Sequence, residues 1–452
     1  MDRFSSWLAK CTPFFYGYVI VFVALLTQVC SSPGQTFAIS AFTPHLQHDL
    51  GLSSSHLAAA YMFGTMLAAI PLAIVGPLAD RYGLRSITIA VSVALAGACV
   101  FLSRASGFTT LLCGFLLLRF LGQGAMTLLG GNLVSMWFRR RLGTVNAVMS
   151  IGGAAAFAVV PGLMVTTIEE IGWRSAYLVL GAAVFVLMVP ASLFLLRNRP
   201  EDLALAIDGE RVGLPGQSVE RAVSESLDSD DFSLKQALSH RTFWILAIDM
   251  ASWALIGTGI VFHSFSIFTE QGVDASSVPW MFSTFSLSML AAQIVGGILA
   301  DRAPMNWLLF LGFSLLAIGA TVVPISSEAW LMHLFALAFG MGQGFAIAAN
   351  SAMWVRYYGR AHLGKIRGTV WCITVAASGC GPFILGLFKD ADGTFENGLW
   401  LFAIVLIPLA VLSFWATKPT FSSAAKSMQL KSLADGANVG REVDSSANEA
   451  SL

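Results

Sequence analysis

Charge is what this sequence lacks. Only 12% of its 452 residues are Asp, Glu, Lys or Arg, whereas 56% are hydrophobic; a soluble globular chain carries about 25% charged residues. Such scarcity excludes a surface dissolved in water over most of the length and leaves lipid as the solvent. Basic and acidic residues balance at 26 each, so no net field draws the chain to nucleic acid. Cysteine is scarce and scattered. Cys11, Cys30, Cys99, Cys113, Cys372 and Cys380 lie mostly inside apolar runs, a pattern that fits neither a disulfide framework nor a zinc site. No HExxH or GxSxG signature occurs, and His45 and His48 have no evident third ligand. GRAHLGKI at 359–366 falls one residue short of a phosphate-binding loop, because Ile366 stands where a hydroxyl for magnesium is required. These absences point away from an enzyme and from any cofactor or metal.

What is present is a series of long apolar runs. A helix needs about 20 apolar residues to cross the hydrocarbon core. Twelve runs qualify: 18–42, 56–78, 86–102, 109–136, 142–168, 176–196, 242–268, 279–299, 305–323, 330–354, 369–388 and 399–416. The first is too long for a signal-peptide core and lacks a cleavage site, so it reads as a retained helix. Arg and Lys favour cytoplasmic loops. With the N-terminus inside, only Arg104, Arg174 and Lys389 fall outside, and Arg119 falls within a run, which predicts an N-in, C-in topology. The expected organisation is a six-helix bundle over 1–196, a polar cytoplasmic connector over 197–241, a second six-helix bundle over 242–417 and a disordered cytoplasmic tail over 418–452. The end of the connector, DFSLKQALSHR, has the make-up of a short surface helix.

The halves repeat. GPLADR at 76–81 meets GILADR at 297–302, an offset of 221. Leu142-Gly143 meets Leu363-Gly364 and Pro161 meets Pro382 at the same offset, and GQG at 122–124 meets GQG at 342–344 at 220. A duplicated membrane bundle places a substrate site near the midplane where the halves meet, and rocking of the halves exposes it to each side in turn.

Gly76, Asp80, Arg81, Gly83 and Arg85 spell G-x-x-x-D-R-x-G-x-R, with a degenerate copy ending in Asp301 and Arg302. Arg119 precedes Gly122 and Gly124 in the fourth run. On these motifs the span from 14 to 416 resembles the major facilitator superfamily. The resemblance implies an all-α membrane fold of twelve helices, a multi-pass place in the cell membrane and secondary transport by a monomeric unit. It also implies that Gly76, Asp80, Arg81, Gly83, Arg85, Asp301 and Arg302 form a conformational latch. The opening FYGYVIV and the phrase RNRPED after the sixth run are similar to branches carrying organic anions, the oxalate/formate and monocarboxylate carriers. The fifth run, with GGAAAFAVVPGLM, departs from the full drug-antiporter pattern G-x-x-x-G-P-x-x-G-G.

Ionisable groups inside membrane helices are costly and tend to be functional. Arg119 has Phe339 as its repeat-mate, so bundle symmetry demands no cation there. Its planar fork suits a carboxylate, or it holds a neighbouring helix. Gln123 and Gln343 are repeat-mates that either orient a substrate or bond between helices. Asp249, Trp253, Ile256, Ile260 and His263 share a helix face. Asp249, unless it is wetted at the helix end, and His263, about 21 Å further along the axis near the outer end, are the proton-coupling candidates, one facing each gate. Gln28, Gln35, His333 and Trp371 are further candidates. The reading is a carrier of a small organic anion, such as a monocarboxylate, with a co-transported proton. Substrate contacts fall to Arg119, Gln123, Gln343 and Trp253. Export of amphipathic compounds by proton antiport, through a cavity rich in Trp253, Phe339 and Trp371, is the alternative. A membrane sensor that moves nothing is a third.

Overall fold

The computed structural model describes residues 15–139, 141–203, 205, 207, 232–300, 302–359 and 362–419. Every regular element among the described residues is helical. The first crossing is broken: α1 (Gly17–Cys30) ends in a 3₁₀ turn at Ser32–Gly34, and α2 (Thr36–Leu50) resumes beyond it. α3 (Ser54–Tyr82) and α4 (Leu84–Leu102) follow. The next crossing is composite, made of α5 (Phe108–Leu118), a π-helical stretch (Arg119–Met126) and α6 (Thr127–Trp137). α7 (Leu142–Phe194) turns back at Gly172, where φ is 77° and ψ 157°. A short capped helix, α8 (Leu234–Leu238), falls within DFSLKQALSHR. Then come α9 (Arg241–Glu270), α10 (Val278–Ala300), α11 (Met305–Val322), α12 (Ala329–Tyr358), α13 (Leu363–Asp392) and α14 (Glu396–Ser413).

Eleven helical runs among the described residues are long and apolar enough to cross a membrane. One of them contains the Gly172 turn, so the described chain makes as many crossings as there are apolar runs. The helices turn apolar side chains outward: Ile70, Val186, Leu287 and Ile404 are all well exposed. A soluble fold hides such residues, and hydrocarbon accepts them.

Small residues set the closest helix contacts. A Cβ on Gly381 of α13 would overlap the Leu255 carbonyl of α9, and one on Gly259 would come within 3.0 Å of the Gly381 carbonyl carbon. The N-terminal set of helices meets the C-terminal set along three pairs, α3 with α13, α2 with α9, and α7 with α10. Hydrogen bonds between described residues that join the two sets all lie at midheight or at one end, away from the chain termini. Thr43 Oγ1 donates to the Phe262 carbonyl (3.4 Å), and the Ser54 and Ser55 amides donate to the Asp390 carboxylate (3.1 and 3.0 Å). At midheight, Ser283 and Ser286 of α10 donate to the Ala158 and Ala154 carbonyls of α7 (3.0 and 2.6 Å). This end, called the far end below, is closed.

Candidate functional site

The break in the first crossing and the π-helical stretch lie backbone to backbone. A Cβ on Gly34 would overlap the Leu118 carbonyl, and one on Gly122 would sit 2.9 Å from the Gly34 Cα. π-helical winding recurs at functional sites, and here it brings Arg119 to the broken turn. Arg119, 4% exposed, donates from Nη1 to the Gly34 carbonyl (3.1 Å) and to Thr36 Oγ1 (3.4 Å). Its Nε donates to Thr65 Oγ1 (3.1 Å), and its guanidinium lies over the Tyr61 ring, 5.0 Å from the centroid. Tyr61 OH and Thr36 Oγ1 share a hydrogen bond of 2.7 Å. Irregular backbone survives at membrane depth only where its polar groups are satisfied, and Arg119 satisfies one of them. None of these contacts is a carboxylate, and Nη2 has no acceptor among the described residues.

Arg119 lines a cavity of about 270 Å³ between α3, the π-helical stretch and α13, walled by Ala68, Leu72 and Trp371. A second cavity, of about 280 Å³, adjoins it and shares Gln123, Trp371 and Val375. Gln35, Gln123, Trp253, Thr258 and Gln343 face this central cavity. The structure therefore brings Gln123, Gln343 and Trp253 to one space, with Arg119 next door. The side-chain amides of Gln123 and Gln343 bond to no described residue. Phe339 is a correction: it does not line the cavity but packs behind it against Phe285 and Phe335, with ring centroids 6.0 and 5.4 Å away.

Asp249 and His263 lie outside both cavities. Asp249 is not wetted at the helix end; it is fully buried, with Ser413 Oγ donating to Oδ2 (3.1 Å) and Oδ1 unpartnered. His263, placed near the outer end by its sequence position, is fully buried. Its Nε2 lies 2.9 Å from the Pro382 carbonyl and its ring packs on Phe395 at 4.9 Å. His333 Nδ1 meets Thr284 Oγ1 at 2.9 Å.

The 76–85 motif forms a separate site of about 550 Å³, where Gly76, Asp80 and Gly83 face Asn132, Asn198 and Asp202. Gly83 joins α3 to α4 at φ 85°, and a Cβ there would lie 2.8 Å from the Asn198 side chain. Asn198 Oδ1 accepts from the Arg85 amide (2.9 Å). Arg85 Nη2 donates to the Leu193 carbonyl (2.6 Å) rather than to Asp80. Asp80 is exposed and has no partner among the described residues. Arg81 stacks over Tyr82 at 5.3 Å. Arg302 makes a turn bond to the Leu299 carbonyl (2.9 Å), and Asp301 lies outside the described residues. Sequence reasoning missed Asn198, which sits in the quoted RNRPED phrase, and the cage of Gly34, Thr36, Tyr61 and Thr65. The one signal for that cage was Pro33-Gly34 inside an apolar run.

A sequence profile of the Major Facilitator Superfamily matches residues 24–272 and 250–436, and the chain belongs to that family. It is a multi-pass transporter of small solutes in the plasma membrane and not an enzyme. The probable galactarate/D-glucarate transporter GudP of Bacillus subtilis (strain 168) is 24% identical over 428 residues, covering 88% of this chain and 90% of that protein. Human monocarboxylate transporter 11 is 24% identical over 389 residues, covering 81% and 78%. The MFS-type transporter YhjX of Escherichia coli (strain K12) is 21% identical over 346 residues, covering 75% and 80%. The fold matches the crystal structure of a bacterial homologue of the human lysosomal transporter Spinster, inward-facing and unoccupied. The TM-score is 0.70 at 14% identity, covering 89% of this chain and 97% of that one.

Proposed function

We propose that this protein carries a small organic monoanion through the central cavity by alternating access, as a monomeric unit with both termini in the cytoplasm. One observation carries the reading: Arg119 stands in a cavity wall as a buried cation that has, among the described residues, no carboxylate partner and no acceptor for Nη2. A guanidinium presents a fork that matches a carboxylate. The unbonded amides of Gln123 and Gln343 and the Trp253 ring face the adjoining space and orient the remainder of the solute. A single cation favours a single negative charge. Relatives named for monocarboxylates and sugar diacids support the anion class. The segment 76–85, with Asp301 and Arg302, serves as the latch between halves in the alternate state; Asp80 has no partner among the described residues here.

Export of amphipathic compounds is the second reading. The specific observation in its favour is the apolar wall around Arg119, built from Ala68, Ala69, Leu72 and Val375.

Uptake of labelled mono- and dicarboxylates into proteoliposomes separates the two. Monocarboxylate uptake that is lost in Arg119→Gln, in protein of unchanged thermal stability, is the expected result. Movement of a lipophilic dye with no carboxylate uptake would sink the anion reading.

A further inference from the structure

Asp249 and Trp253 stand one turn apart on α9, and each hides an unmet polar atom. Asp249 Oδ1 and Trp253 Nε1 are both buried without a hydrogen-bond partner among the described residues. Both residues line one small cavity of about 20 Å³, closed by Phe313 of α11 and Asn350 of α12. A single water needs roughly 10–15 Å³ of such space and at least two polar partners. The partners here are complementary. An indole N–H only donates, and a carboxyl oxygen accepts. An occupant that accepts from one and donates to the other satisfies both. A metal cation fails that requirement, because the indole would face it hydrogen first.

Trp253 has a second role. It also lines the central cavity, which Asp249 does not reach. The indole is therefore a wall shared between the buried carboxyl and the substrate space.

The geometry points to a relay of carboxyl, one water and indole that makes Asp249 the proton-carrying group of the transport cycle and reports its charge to the central cavity. The inference holds whichever solute is carried. An unpaired carboxylate is costly in an apolar bundle. The groups facing Asp249 are Ser413 from α14, Phe313 from α11, Asn350 from α12 and Trp253 from its own helix. None of these titrates or carries a cation. Arg241 and Arg356 stand nearer the ends of α9 and α12, with Arg356 donating to the Ala300 carbonyl (2.8 Å). The chemistry is one proton transfer: an O–H bond forms at Oδ1 as a hydronium ion from one side gives up its proton and leaves as water, and after the halves rock that bond breaks as the proton passes to a water on the other side, which leaves as hydronium. The bridging water donates to a charged Oδ1 and turns when Oδ1 is protonated, which shifts the indole and with it one wall of the substrate space.

Fluorine NMR of protein labelled with fluorotryptophan tests this without any transported solute. The Trp253 signal is assigned by its loss in Trp253→Phe. In the wild type it is expected to shift during a pH titration, and in Asp249→Asn it is expected to stay fixed. Should Asp249→Asn fail to fold, Ser413→Ala, which removes the donor to Oδ2, is expected to move the titration midpoint. A Trp253 signal that ignores pH in the wild type, or that titrates unchanged in Asp249→Asn or Ser413→Ala, overturns the relay. For any carboxylate found to be moved, Asp249→Asn is expected to keep exchange and lose gradient-driven accumulation. Equal gradient dependence in the two proteins overturns the coupling role. A carboxylate panel that shows no uptake leaves the NMR test standing.

Discussion

Arg119 joins two demands in one side chain. Its Nε and Nη1 hold the cage of Gly34, Thr36 and Thr65, and its remaining nitrogen faces a cavity. A lysine offers a point charge without the fork, so it would not span the same set of acceptors. Gly83 shows the same economy on the backbone. At φ 85° and 2.8 Å from Asn198 by the Cβ measure, Gly83→Ala is expected to cost about 1–3 kcal/mol through the unfavourable dihedral alone. Thermal unfolding in detergent checks this, and an unchanged melting temperature would show that the turn relaxes freely. Arg119 was legible in the sequence because a lone charge stands out in an apolar run. Its cage was not. Thr36, Tyr61 and Thr65 are ordinary residues on other helices, and only packing reveals that they converge.

Helix ends carry the far-end closure. Asp390, near the end of α13, accepts from the amides of Ser54 and Ser55 at the start of α3 (3.1 and 3.0 Å). A carboxylate at a helix N-terminus meets both its free amides and its dipole, a contact worth roughly 0.3–1 kcal/mol when exposed. Because the contact joins the two sets of helices, it exists only while this end is shut. Asp390→Asn is expected to shift the population toward an open far end. Spin labels at His48 and Glu396 would read this as a broader, longer distance distribution than in the wild type; an identical distribution would remove Asp390 from the gate. Helix identity and number could be read from run length, since hydrocarbon thickness sets it. The break at Ser32–Gly34 and the winding after Leu118 could not, because an apolar run looks the same whether it is straight or interrupted.

For the whole molecule, a cavity held between two sets of helices implies that solute moves only if the closed end opens. A disulfide between Ser55→Cys and Asp390→Cys, in a background lacking Cys113 and Cys372, is expected to stop uptake, with reductant restoring it. Full activity of the cross-linked protein would contradict rocking of the halves. The duplication behind this architecture was visible as anchors at a nearly constant offset of 220 to 221. The lines along which the halves touch were not visible, since lipid-facing and partner-facing surfaces are both apolar. Thr43 against Phe262 and Ser286 against Ala154 become neighbours only in three dimensions.

The repeat is also unequal in one respect. Among the described residues, the one buried Arg or Lys, Arg119, belongs to the first half, and the one buried Asp or Glu, Asp249, to the second. On the reading proposed above, each cycle takes one anion on the first half and one proton on the second. The two charges cancel, so the loaded carrier crosses as a neutral unit. A voltage across the membrane does work only on net charge. Such a carrier would be driven by concentration and acidity alone, and a cell could change its membrane voltage without changing how far this solute accumulates.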